Sequence, residues 1–170
     1  YWCSVAEIVV KKHPNLLFGI SSYSYWAQPP VREKVHPNMV LRYVGPDSSR
    51  LAGWLAAGAR RIYWRPNVIL QGRRDGKIRC YVDKLAKSFH DFVDAGVVQT
   101  DFDSIVDFWA TAGINYYAAA RLEWDPHLTG DQIISDYARA GFGQGASQID
   151  AYFHRLQDLT TQGIVEVIES

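Results

Sequence analysis

Four short runs of β-branched and aromatic residues, set mostly between stretches of helical period, constrain this chain more than any other feature. They are LLFGISSYSY near 16–25, MVLRYVG at 39–45, RRIYWRPN around 60–66 and VVQTDFDS around 97–103. Gly45 and Pro46 close the second run and Pro66 stops the third. Between them lie SVAEIVVKKHP, SSRLAGWLAAGA and YVDKLAKSFHDFVDAG. In the last of these Val82, Leu85, Phe89, Phe92 and Val93 form one apolar stripe, and Gly96 stands at the C-terminal cap. Asp47 or Ser48 is placed to cap the middle one. From residue 105 to about 160 the period is helical throughout, in INYYAAARLEW, GDQIISDYARAGFG and ASQIDAYFHRLQDLT. Strands separated by helices imply parallel pairing through crossovers, hence an α/β fold: half of an eight-stranded barrel, or a small open sheet.

A chain of 170 residues is long enough for one domain, or part of a larger one. Lys plus Arg and Asp plus Glu each number 18, which speaks against nucleic acid as a partner. No run reaches the roughly 18 apolar residues of a membrane span. The opening YWCSVAEIVV has no basic leader region and does not start with Met. We read it as a processed or excised piece whose original N-terminus is out of sight. Cys3 and Cys80 lack metal-type spacing and read as two unpaired, buried thiols, with a disulfide left open.

Parallel α/β folds place their chemistry where strands end. Here those ends hold Tyr23, Tyr25 and Trp26, then Arg42 and Tyr43, then Tyr63, Trp64, Arg65 and Asn67, then Thr100, Asp101 and Asp103. Aromatic residues are 14% of the chain, with six Trp and ten Tyr, more than packing alone calls for. Rings stack on the apolar faces of sugars, Arg and Asn bind hydroxyls or an acidic substituent, and carboxylates supply acid and base. Tyr23, Tyr25, Trp26, Arg42, Tyr63, Arg65 and Asn67 are therefore the candidate substrate-binding residues, and Asp101 and Asp103 the candidate catalytic pair, on one face at i, i+2. Plainer roles stand beside these. Strand alternation sends about half of the aromatics under the helices, Asp103 could cap the helix starting near 105, and Arg42 and Arg65 could simply pair with such carboxylates.

Other chemistries find no motif: there is no G-x-S-x-G elbow, P-loop or H-E-x-x-H, and no cofactor or metal is called for. HPN occurs at 13–15 and 36–38, each time just before a strand, so His13 and His36 read as turn formers. GFGQG at 141–145 follows a helix and reads as its stop. His90 and His154 read as partly exposed or satisfied helix residues, and His127 as part of a turn.

YYAAARLEWDPHLTGDQIISDYARAGFGQGASQIDAYFHRL resembles the closing segment of the glycoside-hydrolase-like proteins of domain of unknown function 4838, and SYSYWAQPP…HPNMVLR at 22–42 is similar to a strand end and following strand of that family. LEWDP at 122–126 and the Y…PP pattern are the most specific parts. The resemblance implies a (β/α)8 barrel akin to those of α-glucuronidases and hexosaminidases, this chain covering the later strands and C-terminal helices. It implies a key acid at the end of an earlier strand, ahead of Tyr1. It also leaves Trp124 packed against the barrel and Asp125 capping the DP turn.

The expected activity is thus glycoside hydrolysis on a polysaccharide or oligosaccharide, with uronic-acid-containing glycans among the candidates, in a secreted or periplasmic setting. A non-catalytic carbohydrate-binding barrel and an α/β partner-binding domain are the alternatives.

Overall fold

The computed structural model describes residues 1–45, 47–66, 78–97, 99–102 and 109–163. Asn67, Asp103 and the polar loop GRRDGK lie outside them. The chain divides into two compact units, Tyr1–Asn67 with Phe92–Asp103, and Val68–Asp91 with Ser104–Ser170.

In the first unit, helix α1 (Trp2–Val10) leads to strand β1 (Phe18–Ser22), a 3₁₀ turn (Ser24–Trp26), β2 (Met39–Val44), helix α2 (Leu51–Ala56) and β3 (Arg61–Arg65). The sheet is parallel in the order β1-β2-β3. Thr100 adds a parallel bridge to Trp64 where the fourth strand is expected. Trp64 N donates to Gln99 O at 2.9 Å and Asp101 N to Trp64 O at 3.0 Å. The fold is mixed α/β, and no barrel closes among the described residues.

The HPN motifs act as turns. His36 Nδ1 accepts from Asn38 N, while Asn38 Nδ2 donates to Pro14 O and Leu16 O, tying the entry of β2 to that of β1. Strand alternation then sorts the side chains. Met39, Leu41, Tyr43, Ile62 and Trp64 are buried. Trp64 stacks on Phe92 at 4.3 Å between ring centroids and donates from Nε1 to Gly45 O, and Tyr43 meets Phe92 edge-on at 5.2 Å. Each such ring contributes roughly 1.5–3 kcal/mol through burial. An exposed ion pair is worth at most about 1 kcal/mol, so these buried rings are a main support of this unit.

One expected cap differs from what is found. The residue ahead of α2 is Arg50 and it makes no side-chain cap, because Asp47 Oδ1 is used by Ser49 N in a turn of its own. Gly96 behaves as read: it has φ +81° and follows helix α3 (Val82–Asp94), where the left-handed region favours glycine. Val82, Leu85, Phe89 and Phe92 of that helix are all buried.

In the second unit, helices α4 (Trp109–Trp124), α5 (Gly130–Phe142) and α6 (Ala146–Thr161) follow in order. A capping box opens α5: Thr129 Oγ1 accepts from Gln132 N, and Gln132 Oε1 from Thr129 N. Asp83 packs so closely on Gly130 that an added Cβ would stand 1.8 Å from Asp83 Oδ1. Asn115 of α4 is buried and stitches backbone, accepting from Tyr81 N at 2.7 Å and donating to Arg79 O at 2.8 Å. Asp125 Oδ1 accepts from His127 N, as the DP turn requires. Trp124, by contrast, at the end of α4, is 89% exposed rather than packed.

Candidate functional site

The site is assembled by register. Ser21, Arg42 and Tyr63 are aligned across β1, β2 and β3 on the face opposite the buried row. Arg42 Nε donates to Ser21 Oγ at 3.0 Å. Among the described residues Arg42 makes no ion pair. One step toward the carboxyl ends, Arg65 lies beside Asp101. Nε donates to Oδ1 and Nη2 to Oδ2, both at 2.6 Å, with the side chains 23% and 33% exposed. This fork-to-fork geometry fixes both planes.

The two arginines therefore part company. Arg65 is the partner of a carboxylate, whereas the partner of Arg42 among the described residues is a hydroxyl. Among the flanking aromatics, Tyr43 and Trp64 belong to the core, Tyr43 Oη accepting from Arg50 N. Tyr63 stays half-exposed on the face with Arg42.

Tyr23, Tyr25 and Trp26 behave differently from the strand alternation expected of them. β1 ends at Ser22, and Ser24 enters the 3₁₀ turn at φ +53°, a left-handed conformation that costs a side chain something to adopt. The turn lifts Tyr25 and Trp26 off the strand line, 96% and 74% exposed. They line a groove of about 550 Å³ along β1, together with Trp54, Pro30 and Glu33. Tyr23 is not among its lining residues. The loop is pinned from below: Ser22 Oγ and Trp54 Nε1 both donate to Ala27 O, and Pro29 packs on Gly53, where a Cβ would come within 2.8 Å of Pro29 Cγ. Ser21 and Trp54 were not singled out by sequence. Only the strand register brings Ser21 to Arg42, and Trp54 sits in a helix that reads as plain packing.

Cys3 and Cys80 are free thiols, Cys80 buried and Cys3 partly so. Burial pushes the Cys80 thiol up to about 12, which removes it as a nucleophile. His154 contacts Asp131 Oδ1 at 3.1 Å and Asp150 Oδ2 at 3.3 Å. Burial alone would lower its pKa, but hydrogen bonds to the Asp150 carbonyl and the Asp131 carboxylate, with both charges, raise it. Among the described residues no group of three or more His, Cys, Asp or Glu could hold a metal ion, and no helix is long and apolar enough to cross a membrane. No protein-family model, curated protein or solved structure matches the chain.

Proposed function

We propose that this chain recognises carbohydrate through the open face of its sheet, as part of a glycoside-hydrolase-like protein similar to domain of unknown function 4838. The observation that carries the reading is the Ser21–Arg42–Tyr63 row with the Arg65–Asp101 fork one step beyond it. An aromatic ring, an arginine without an ion pair among the described residues and an oriented carboxylate on one face suit a sugar bearing a uronic acid. Arg42 takes the ligand's carboxylate, Tyr63 stacks on the ring, and Asp101 accepts from a hydroxyl. The finer fold we attach to this is a (β/α)8 barrel, the sheet being part of it and β1 needing a further strand on its open edge.

Hydrolysis would proceed through an oxocarbenium-like transition state, one carboxyl protonating the leaving oxygen and the other activating water or attacking directly. Asp101 and Asp103 are the proposed pair, in an exported enzyme. A binding-only reading is favoured by one observation: both oxygens of Asp101 already accept from Arg65.

A glycan array read for both bound and released sugar tests this. Binding of acidic oligosaccharides is expected, with Arg42→Ala weakening it about tenfold or more, as for loss of a charged hydrogen bond. Release that Asp101→Asn abolishes marks the hydrolase; binding without release marks the binding module. No acidic glycan bound, or an unaffected Arg42→Ala, refutes the proposal.

A further inference from the structure

We infer that Ser21 is itself a binding residue of this site: its hydroxyl, held by Arg42, donates to the acidic group of the sugar, which therefore lies on the β1 side of the face. The inference rests on the carbohydrate reading and adds to it a residue and a direction for the ligand. Ser21 and Ser22 are neighbours in β1 that period two sends to opposite faces. Ser22 is fully buried and gives its hydroxyl to Ala27 O, which is a structural bond. Ser21 is exposed and in register with Arg42, whose Nε donates to its Oγ at 3.0 Å. An exposed hydrogen bond competes with water and adds little to stability, so the Ser21–Arg42 bond is not needed to hold the sheet.

The chemistry of the pair is directional. A guanidinium carries donors alone, so Ser21 Oγ accepts from Arg42 and its own proton turns elsewhere. Donation from a cation draws charge out of the oxygen and makes the remaining O–H a stronger donor. A hydroxyl donor and a positive charge thus stand side by side, the combination a carboxylate accepts best. The rest of the row sets the direction. Tyr63 is in register with Arg42 on β3, and the Arg65–Asp101 fork stands beyond it. Ser21 and Asp101 bound the row at its two ends, three strand spacings or about 14 Å apart along the sheet, with room for a sugar ring lying on Tyr63 between them. The fork is neutral as a pair, whereas Ser21 with Arg42 is positive. The acidic group is therefore drawn toward β1, and the hydroxyls of the sugar turn toward Asp101.

The test uses the whole chain and a uronic-acid oligosaccharide taken from the array, beside its methyl ester and its carboxyl-reduced form, titrated by calorimetry. Ser21→Ala is expected to weaken binding of the acid about tenfold and to leave the ester and the reduced form within about twofold. Ser21→Thr keeps the hydroxyl and is expected to restore the affinity for the acid. In the Arg42→Ala background, Ser21→Ala is expected to cost almost nothing further, since both residues act on one carboxylate. The Nε–H resonance of Arg42 is expected to shift in Ser21→Ala, which reports the bond without any sugar. If the parent binds no acidic sugar, the carbohydrate reading falls and this inference with it. If the parent binds and Ser21→Ala binds the acid equally well, the inference alone is overturned. Equal losses for acid and ester, or no rescue by Ser21→Thr, overturn it as well, because a merely structural serine would behave in that way.

Discussion

The two units use polar side chains in opposite ways. In the sheet unit, Arg42, Tyr63, Arg65 and Asp101 stand on a face that stays partly open, and Tyr25 and Trp26 of the turn after β1 are exposed. In the helical unit, Asn115, Thr129 and Asp83 are occupied with backbone ends and neighbouring helices. Four of its aromatics are turned on one another, Tyr137 meeting Tyr117, Phe142 and Phe153 at 5.2–5.6 Å. The same residue types thus bind backbone in one unit, whereas in the other Arg65 and Asp101 bind each other and Arg42 bonds the Ser21 hydroxyl on a half-exposed face.

Four substitutions would break or sharpen that contrast. The largest effect is expected for Trp64→Ala, which empties the aromatic cluster of the sheet unit and strands Gly45 O; a loss of about 3–5 kcal/mol in urea unfolding is expected. Stability within about 1 kcal/mol of the parent would show that the cluster does not hold this unit. Next is Asn115→Ala in the helical unit. One buried and one part-buried backbone group lose their partner, and about 2–3 kcal/mol should go while glycan binding by the intact fraction is unchanged. Altered glycan specificity there would dissolve the division of labour. Third, Gly130→Ala drives a methyl into Asp83 and should cost about 1–3 kcal/mol; Gly130→Ala with Asp83→Ala should recover part of it, a coupling readable by a double-mutant cycle.

The smallest effect concerns pH. The folded pKa of His154 is raised above its ordinary 6.5. Its contribution to stability is therefore fully present below about 6.5 and is lost as pH rises through the folded value. Thermal midpoints should fall slightly across that window in the parent and more flatly in His154→Gln. The effect is small because the ring is 34% exposed. A parent and variant with parallel pH profiles would remove His154 from the helical unit's polar scaffold.

Much of the architecture is legible in the residues. The β-branched runs at 39–45 and 60–66 became β2 and β3 within a residue or two, because period-two burial and the flanking Gly and Pro residues are local signals. The stripe of α3 and its terminal Gly96 are local in the same sense. Reading β1 through to Tyr25 failed because a single left-handed residue, Ser24, ends the strand, and nothing in a serine announces that conformation. The candidate face was legible in part: Arg42, Tyr63, Arg65 and Asp101 carry their chemistry in their identities. The cap of α2 was misjudged because Asp47 had a nearer donor in Ser49 N.

By itself the sequence determined a mixed α/β chain with parallel strands, charge balance and a surplus of aromatics. Alternation and helical period are set by covalent geometry and solvent exclusion over a few residues. Only the tertiary structure decided which neighbours those residues meet. Register placed Ser21 against Arg42, and the bridge at Thr100 set Asp101 into the fork of Arg65. Those pairings span 21 and 36 positions of chain, and the sum of all strand contacts fixes them rather than any property of the residues that finally touch.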